Sequence, residues 1–291
     1  MCEFGLEFTC DDGRCVSIYK RCDGVKDCKD ESDEQDCKRM IIPGYYDRAK
    51  PAELPQKLEM ANPLNIQVKI KNIDFVNTIS MSVGLTIELS VTWRDYQLTY
   101  FNLLHSEGAF NDTKGVSSYY YEKIWLPIPM IEHENAVIGN IKEDKNMYIQ
   151  IQPVTKPKPL DPVLHTEDML YPGSENDLVM IQKFKLEYLC KFYLQKFPFD
   201  DQKCDFFMRI RTSNNKSIKF VPALDPVVYN GPKVLTEFQI KEISHKENLK
   251  SKETSFTYSI SFQRLYISHL TSTFLIWFLP YLTLHKQIED F

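Results

Sequence analysis

Residues Cys190 to Cys204 read CKFYLQKFPFDDQKC, two cysteines enclosing thirteen residues with Phe197-Pro198-Phe199-Asp200 at the tip. An apolar segment, Phe184 to Leu189, runs into the first cysteine, and an alternating one, Asp205 to Ile210, leaves the second. A disulfide between Cys190 and Cys204, closing a loop that joins two strands of a β-sandwich, accounts for this pattern. Taken on spacing alone, an ordinary disulfide-closed hairpin in a secreted β domain fits equally well.

Period-two alternation continues on both sides of the loop. Ile66, Val68 and Ile70 alternate with Gln67, Lys69 and Lys71. The longest run places Met81, Val83, Leu85, Ile87, Leu89, Val91 and Trp93 on one face and Ser82, Gly84, Thr86, Glu88, Ser90 and Thr92 on the other. That is a half-buried strand of about 40 Å, without the 3.6-residue period of a helix. Shorter alternations fall in 148–154, 180–189, 205–211, 238–243 and 256–262. Many strands separated by Pro, Asn and Asp clusters predict a sandwich.

The 291 residues suffice for one large and one small domain. A net charge of −5 offers no basic field for nucleic acid. Six of the eight cysteines lie within residues 2–37, an even and compact set that implies disulfides and an oxidising compartment. Cys2 follows Met1 directly, without the leader that secretion requires, so the sequence is expected to be a fragment at its start. No Ser/His/Asp signature, metal-histidine spacing or phosphate loop points to an enzyme, and the six histidines are scattered.

Trp93-Arg-Asp95-Tyr-Gln-Leu98 ends the longest strand, Ile124-Trp125-Leu-Pro127 comes later in the chain, and Arg264 follows the last strand. With the Phe197–Asp200 tip, these residues resemble the Cys-loop (pentameric) ligand-gated ion channels over roughly residues 60–291. The resemblance implies a mainly β chain built on the immunoglobulin-like sandwich of that family's ligand-binding domain. It implies that Trp93 is core, that Asp95 anchors a turn, and that Trp125 and Pro127 open loop A of an agonist site between subunits. Phe197, Pro198, Phe199 and Asp200 would rest on membrane helices, with Asp200 and Arg264 as an ion pair at that junction. Expected partners are the other subunits of a pentamer, a small-molecule ligand of unknown identity and the plasma membrane, with the domains outside the cell.

The family's aromatic agonist box, which holds an amine by cation–π contact, is incompletely matched. Glu88 and Arg211 stand where aromatics are common, Asn135 is displaced from the usual spacing, and Ser244–Ser255 is Lys-rich without vicinal cysteines. Acetylcholine recognition of the usual kind is not expected. Arg209, Arg211 and the lysines around 246–252 fit either an anionic or amino-acid ligand or simply an exposed charged face. Sequons at Asn111 and Asn215 fall in predicted loops where a glycan is accommodated.

Cys2, Cys10, Cys15, Cys22, Cys28 and Cys37 alternate with Asp11-Asp12-Gly13, Asp23-Gly24 and the acidic run Asp27 to Glu34. This stretch resembles an LDL-receptor class A repeat over its whole length. Six cysteines allow fifteen connectivities; the resemblance implies Cys2–Cys15, Cys10–Cys28 and Cys22–Cys37. It also implies Ca²⁺ held by Asp23, Asp27, Asp33 and Glu34 with the Lys20 and Val25 carbonyls, and a basic side chain of a protein partner gripped by the same acids. Hard carboxylate oxygens suit that ion, and fewer than forty residues need cross-links and a metal in place of a core. Two positions depart from the family pattern: Lys20 replaces a frequent aromatic and Glu31 a frequent Gly.

After Arg264 comes an uncharged stretch of about twenty residues, the length of a membrane-crossing helix. Its Ser and Thr suit packing in a bundle, Pro280 is tolerated there, and Trp277 and Tyr281 suit an interface. The expected organisation is 2–37 module, 38–63 linker with room for a short helix around 55–60, 64–263 ligand-binding domain, 264–284 first transmembrane helix, and 285–291 a truncated end. The pore-lining helix of the family would follow Phe291. The alternative function is a membrane-anchored or secreted binding protein whose calcium module makes protein contacts.

Overall fold

The computed structural model describes residues 2–3, 5–37, 39–51, 62–103, 118–137, 142–143, 147–155, 158–159, 168–211, 218–246 and 255–271. Strands β1 (Glu7–Thr9) and β2 (Cys15–Ser17) form a hairpin in the cysteine-rich module. Then come β3 (Met40–Ile41), β4 (Asn62–Asn77), β5 (Ser82–Trp93), β6 (Thr99–Phe101) and β7 (Ile131–His133). Next are β8 (Lys142–Glu143), β9 (Tyr148–Gln152), β10 (Lys158–Pro159) and β11 (Met169–Pro172). The last five are β12 (Asp177–Leu189), β13 (Asp201–Ile210), β14 (Ile218–Tyr229), β15 (Phe238–Lys246) and β16 (Ser255–Arg264).

One sheet runs β14-β4-β5-β12-β8, with β9 also on β12; the facing sheet runs β15-β16-β13-β7. Strand β5 is central, hydrogen-bonded to β4 on one side and β12 on the other. Val83, Leu85, Ile87, Leu89, Val91 and Trp93 all lie in the core, and burying six such side chains contributes on the order of 10 kcal/mol. Gly84 on its other face is covered by the Phe75 ring, and a Cβ there would meet ring carbons at 2.4 Å. Strand β14 contains Pro222 and Pro226, which cannot donate to a ladder. It accordingly sits on the edge, paired parallel to β4 with its register broken between Pro222 and Val227. Tyr188 from the first sheet meets Phe206 edge-on at 4.9 Å, and Phe206 stacks on Tyr258 at 4.9 Å, so aromatic rings fill the space between the sheets.

The strands flanking the cysteine loop do not pair with each other. Strand β12 belongs to one sheet and β13 to the other, so the loop crosses between the two layers rather than closing a hairpin. Register places Leu189 opposite Ser82 and Leu178 opposite Trp93. The loop is therefore at one end of β5, and Trp93 about 40 Å away at the other. Near the Trp93 end lies a third sheet, β10-β11-β6-β3, which joins the cysteine-rich module to the sandwich through β3.

Of the predicted transmembrane span 264–284, Arg264 is still the last residue of β16, Leu265 caps the short helix Tyr266–His269, and two further residues follow it within the described residues. No described helix is long and apolar enough to cross a membrane. Residues 272–284, the expected helix around 55–60, Asn111, Asn215 and the whole of 247–254 in the Lys-rich connection lie outside the described residues.

Candidate functional site

Cys190 and Cys204 are joined by a disulfide, with Cα atoms 5.5 Å apart. Inside the loop, the Gln202 side chain stitches the two limbs together. Its Oε1 accepts from the Tyr193 N–H at 2.8 Å, and its Nε2 donates to the Tyr193 carbonyl at 2.9 Å. At the base, the Cys190 N–H donates to the Met81 carbonyl at 2.7 Å, fixing the loop to the turn between β4 and β5. The tip is different: Phe197 and Phe199 are exposed, and the Phe199 ring stands 5.1 Å from Tyr266 at the start of the terminal helix.

Behind that tip the structure brings Asp200 and Arg264 together. Arg264 Nε donates to Asp200 Oδ1 at 2.7 Å and Nη2 to Oδ2 at 3.1 Å, a two-pronged pair with both side chains almost fully buried. The Arg264 backbone N–H also donates to the Asp200 carbonyl at 3.2 Å. The guanidinium is flanked by the rings of Phe238 at 4.4 Å and Phe197 at 5.0 Å, and Nη1 reaches Glu237 Oε2 at 3.3 Å. Burial pushes the Asp200 carboxyl up, but hydrogen bonds from Arg264 and Gln202 outweigh it and hold the group below its ordinary range. The site is a buried cation held by one buried carboxylate, one half-exposed carboxylate and two aromatic faces. Glu237, Phe238 and Gln202 are the participants that sequence reading missed. They belong to no motif, and only the start of β15 beside the end of β16 brings Glu237 and Phe238 into range.

Trp93 and Trp125 are both core residues, meeting edge-on at 6.2 Å. Asp95 is buried, and its Oδ1 accepts from the Gln97 N–H at 3.1 Å, which fixes the turn after β5. Its Oδ2 accepts from the Tyr46 hydroxyl at 2.6 Å, while the same hydroxyl accepts from the Trp125 N–H at 3.0 Å. One tyrosine from the linker region therefore ties the two Trp motifs together. Burial raises the Asp95 carboxyl above its ordinary pKa despite these bonds. Pro127 leads into the turn of 3-10 helix Ile128–Met130.

Glu88 is partly buried and lies between Lys71 at 3.2 Å and Lys69 at 3.7 Å. Arg211 pairs with Glu132, and Arg209 Nη1 stands 3.8 Å from Glu134 Oε1. The charges at the agonist-box positions thus form cross-strand pairs within the subunit. Asn135, displaced from its family spacing, bridges the two sheets: Nδ2 donates to the Leu189 and Asp205 carbonyls at 3.3 and 2.8 Å, and Oδ1 accepts from the Phe207 N–H at 3.2 Å.

In the module, disulfides join Cys2 to Cys15, Cys10 to Cys28 and Cys22 to Cys37. Asp33 is 0% exposed; its Oδ2 accepts from the Asp27 N–H at 2.7 Å, and its Oδ1 has no hydrogen-bond partner among the described residues. A buried carboxylate oxygen without a donor is costly unless a cation meets it. The other acids face their own backbone or a neighbour. Asp23 Oδ1 accepts from the Val25 N–H at 2.7 Å, Glu34 Oε1 from the Gly24 N–H at 2.8 Å, and Asp27 Oδ1 from Lys20 Nζ at 2.5 Å. No three of these acids bring oxygens within 4.8 Å of one another; among the described residues, the two clusters that close to this span, Cys2 with Glu7 and Cys15 and Cys10 with Cys28 and Asp30, contain disulfide sulfurs and none of these acids. Glu31 has φ of +62°, the left-handed backbone that the family's Gly adopts without strain.

Residues 34–276 match the neurotransmitter-gated ion-channel ligand binding domain, and residues 1–37 match the low-density lipoprotein receptor domain class A. The chain belongs to the neurotransmitter-gated (Cys-loop) ion-channel family, which is not enzymatic. It is 22% identical over 251 residues to the glutamate-gated chloride channel subunit beta of Haemonchus contortus, covering 84% of this chain and 52% of that protein. Over 36 residues, 12% of this chain, it is 53% identical to low-density lipoprotein receptor-related protein 8 of Homo sapiens, of which that stretch is 4%. The chain spans about half the length of the channel relative.

Proposed function

We propose that this chain is the extracellular part of a subunit of a pentameric ligand-gated ion channel at the plasma membrane, with its first transmembrane helix running from just after Arg264 to about residue 284. Ligand binding between neighbouring sandwiches shifts a closed–open equilibrium, and the Cys190–Cys204 loop passes that shift to the membrane domain. The observation that carries this reading is the buried Asp200–Arg264 pair, with 2.7 and 3.1 Å contacts. It fastens the loop to the last residue of β16, the strand that leads from the agonist-side connection to the membrane. A displacement of β16 therefore moves the loop, and Phe199 carries the motion onto Tyr266.

The ligand class we propose is a small amino acid. The matched relative is a glutamate-gated channel, and Glu88 with its lysines leaves no aromatic wall for an amine at that position. The test is to record currents from a completed subunit against amino acids, amines and protons, alongside Asp200→Asn and Arg264→Gln variants. The expected outcome is an amino-acid-evoked current, with the variants keeping ligand binding and losing current. Variants that conduct like the parent would overturn the transmission role, and a subunit silent to every ligand and without further hydrophobic spans would overturn the channel.

We further propose that the module holds Ca²⁺ through Asp33, with Asp23, Asp27, Glu34 and the Lys20 and Val25 carbonyls completing an all-oxygen set. The orphaned Asp33 Oδ1 supports this. Bound there, the ion supplies cross-linking that a module of this size cannot obtain from a core. A basic side chain of a protein partner is proposed to dock on the same acids; Lys20, already on Asp27, competes with it from within.

A further inference from the structure

The module is bolted to the sandwich by a continuous set of polar contacts. Arg21 is buried, with its guanidinium 4.9 Å over the Phe8 ring. Its Nη1 donates to the carbonyls of Ser32 at 3.3 Å, Asp33 at 2.7 Å and Gln35 at 2.6 Å. Those carbonyls belong to the turn that carries Asp33 and Glu34, two of the proposed calcium ligands. The Cys22 N–H closes on the Asp33 carbonyl as well, at 2.9 Å. On its other side, Arg21 Nε stands 3.4 Å from Asp168 Oδ1, a carboxylate of the large domain, an ion-pair approach in which Nε makes no hydrogen bond among the described residues.

Asp168 is in turn held by the sandwich. Its Oδ1 accepts from Asn102 Nδ2 at 2.8 Å, and Asn102 Oδ1 accepts from the Met169 N–H at 2.9 Å. The Asn102 N–H donates to the Met169 carbonyl at 3.0 Å, with Asn102 in left-handed backbone at φ +46°. Asn102 follows β6, and Met169 opens β11. Apolar contacts run beside these bonds: Ile18 of the module lies in the sandwich's own core cluster, and Met40 pairs with Tyr100 through β3.

We propose that Arg21 and Asp168 form a latch through which calcium occupancy of the module sets how firmly the end of the sandwich farthest from the cysteine loop is held. This rests on the calcium reading above and goes beyond it: the module becomes a regulatory cap on the channel domain, in place of a tethered adaptor. A cation on Asp33 orders the turn whose carbonyls Arg21 clasps, which fixes the guanidinium opposite Asp168. Linkage makes the effect reciprocal, so an intact Arg21–Asp168 contact must strengthen calcium binding by the same factor by which calcium strengthens the contact.

The test uses the full chain and calcium alone. Calorimetric titration measures affinity, and hydrogen exchange of the Phe101, Asn102 and Met169 amides reads the sandwich side. Calcium is expected to slow exchange at those amides in the parent. Asp168→Asn should weaken calcium binding about five-fold or more, the lower range of typical coupling, and abolish the calcium-dependent slowing; Asp168→Glu should restore both. Equal calcium affinity in parent and Asp168→Asn, with amides indifferent to calcium, overturns the latch while leaving the calcium site standing. Absence of calcium binding to the parent overturns the site itself and the latch with it.

Discussion

Replacing Asp200 by Asn leaves the shape of the loop intact and removes one charge from a place that Arg264 cannot leave. The guanidinium stays almost fully buried between Phe197 and Phe238. Asparagine still offers one acceptor oxygen, but its amide nitrogen would face either Arg264 Nη2 and Gln202 Nε2 together or Arg264 Nε, donor against donor. Breaking a buried pair from one side costs about 3–5 kcal/mol. Glu237, at 3.3 Å but half exposed, and the two aromatic faces offset part of this, so about 3 kcal/mol is expected. The dependence on pH carries a sign. The folded carboxyl of Asp200 titrates below its ordinary value, so its contribution is complete above about pH 3.9, the unfolded pKa. It is lost as pH falls through the folded pKa. Urea unfolding followed by near-ultraviolet circular dichroism should show the full deficit of Asp200→Asn at pH 7 and a shrinking deficit below pH 4. A variant within 1 kcal/mol of the parent at pH 7, or a deficit unchanged in acid, would refute the reasoning. Reversing both charges should restore little, because a carboxylate at position 264 would meet the negative faces of two rings and Glu237.

Burial lowers the His133 pKa to about 4, with Nδ1 2.7 Å from the Tyr188 hydroxyl. The native state thus resists protonation, and stability complete above about pH 6.5 falls by about 3 kcal/mol towards pH 4; His133→Gln should flatten that slope in urea midpoints measured across the interval. Tyr46→Phe strands Asp95 Oδ2 and the Trp125 N–H together and should cost about 2 kcal/mol in the same unfolding assay. Gly173→Ala would place a Cβ 2.2 Å from the Asp95 carbonyl oxygen and 2.7 Å from that of Leu98, both backbone atoms. A melting-temperature drop reflecting about 2 kcal/mol or more is expected.

Local pattern was legible where one face of an element is buried along its length. The alternation from Met81 to Trp93 names a strand, and the core positions of β5 are the apolar half of that run. The six clustered cysteines and the acidic run likewise declare a small cross-linked module, because no core of that size would stand without them. Other features were hidden. Asn135 looked like a misplaced family residue, and its role as a bridge between sheets depends on β12 and β13 lying in different layers. Arg209 and Arg211 read either as candidates for an anionic ligand or as exposed face charges, and only the fold shows that Glu132 and Glu134, brought alongside by β7, pair with them.

The sequence by itself determined the strand pattern, the disulfide module and the pairing candidates Asp200 and Arg264, since these follow from period, spacing and resemblance to a family. Only the tertiary structure decided which sheet each strand enters, that Glu237 and Phe238 complete the arginine's surroundings, and that Arg21 finds Asp168. Such contacts join residues far apart in the chain, and their partners are selected by the route of the connections and by which groups lose water together. Neither quantity is written in local periodicity.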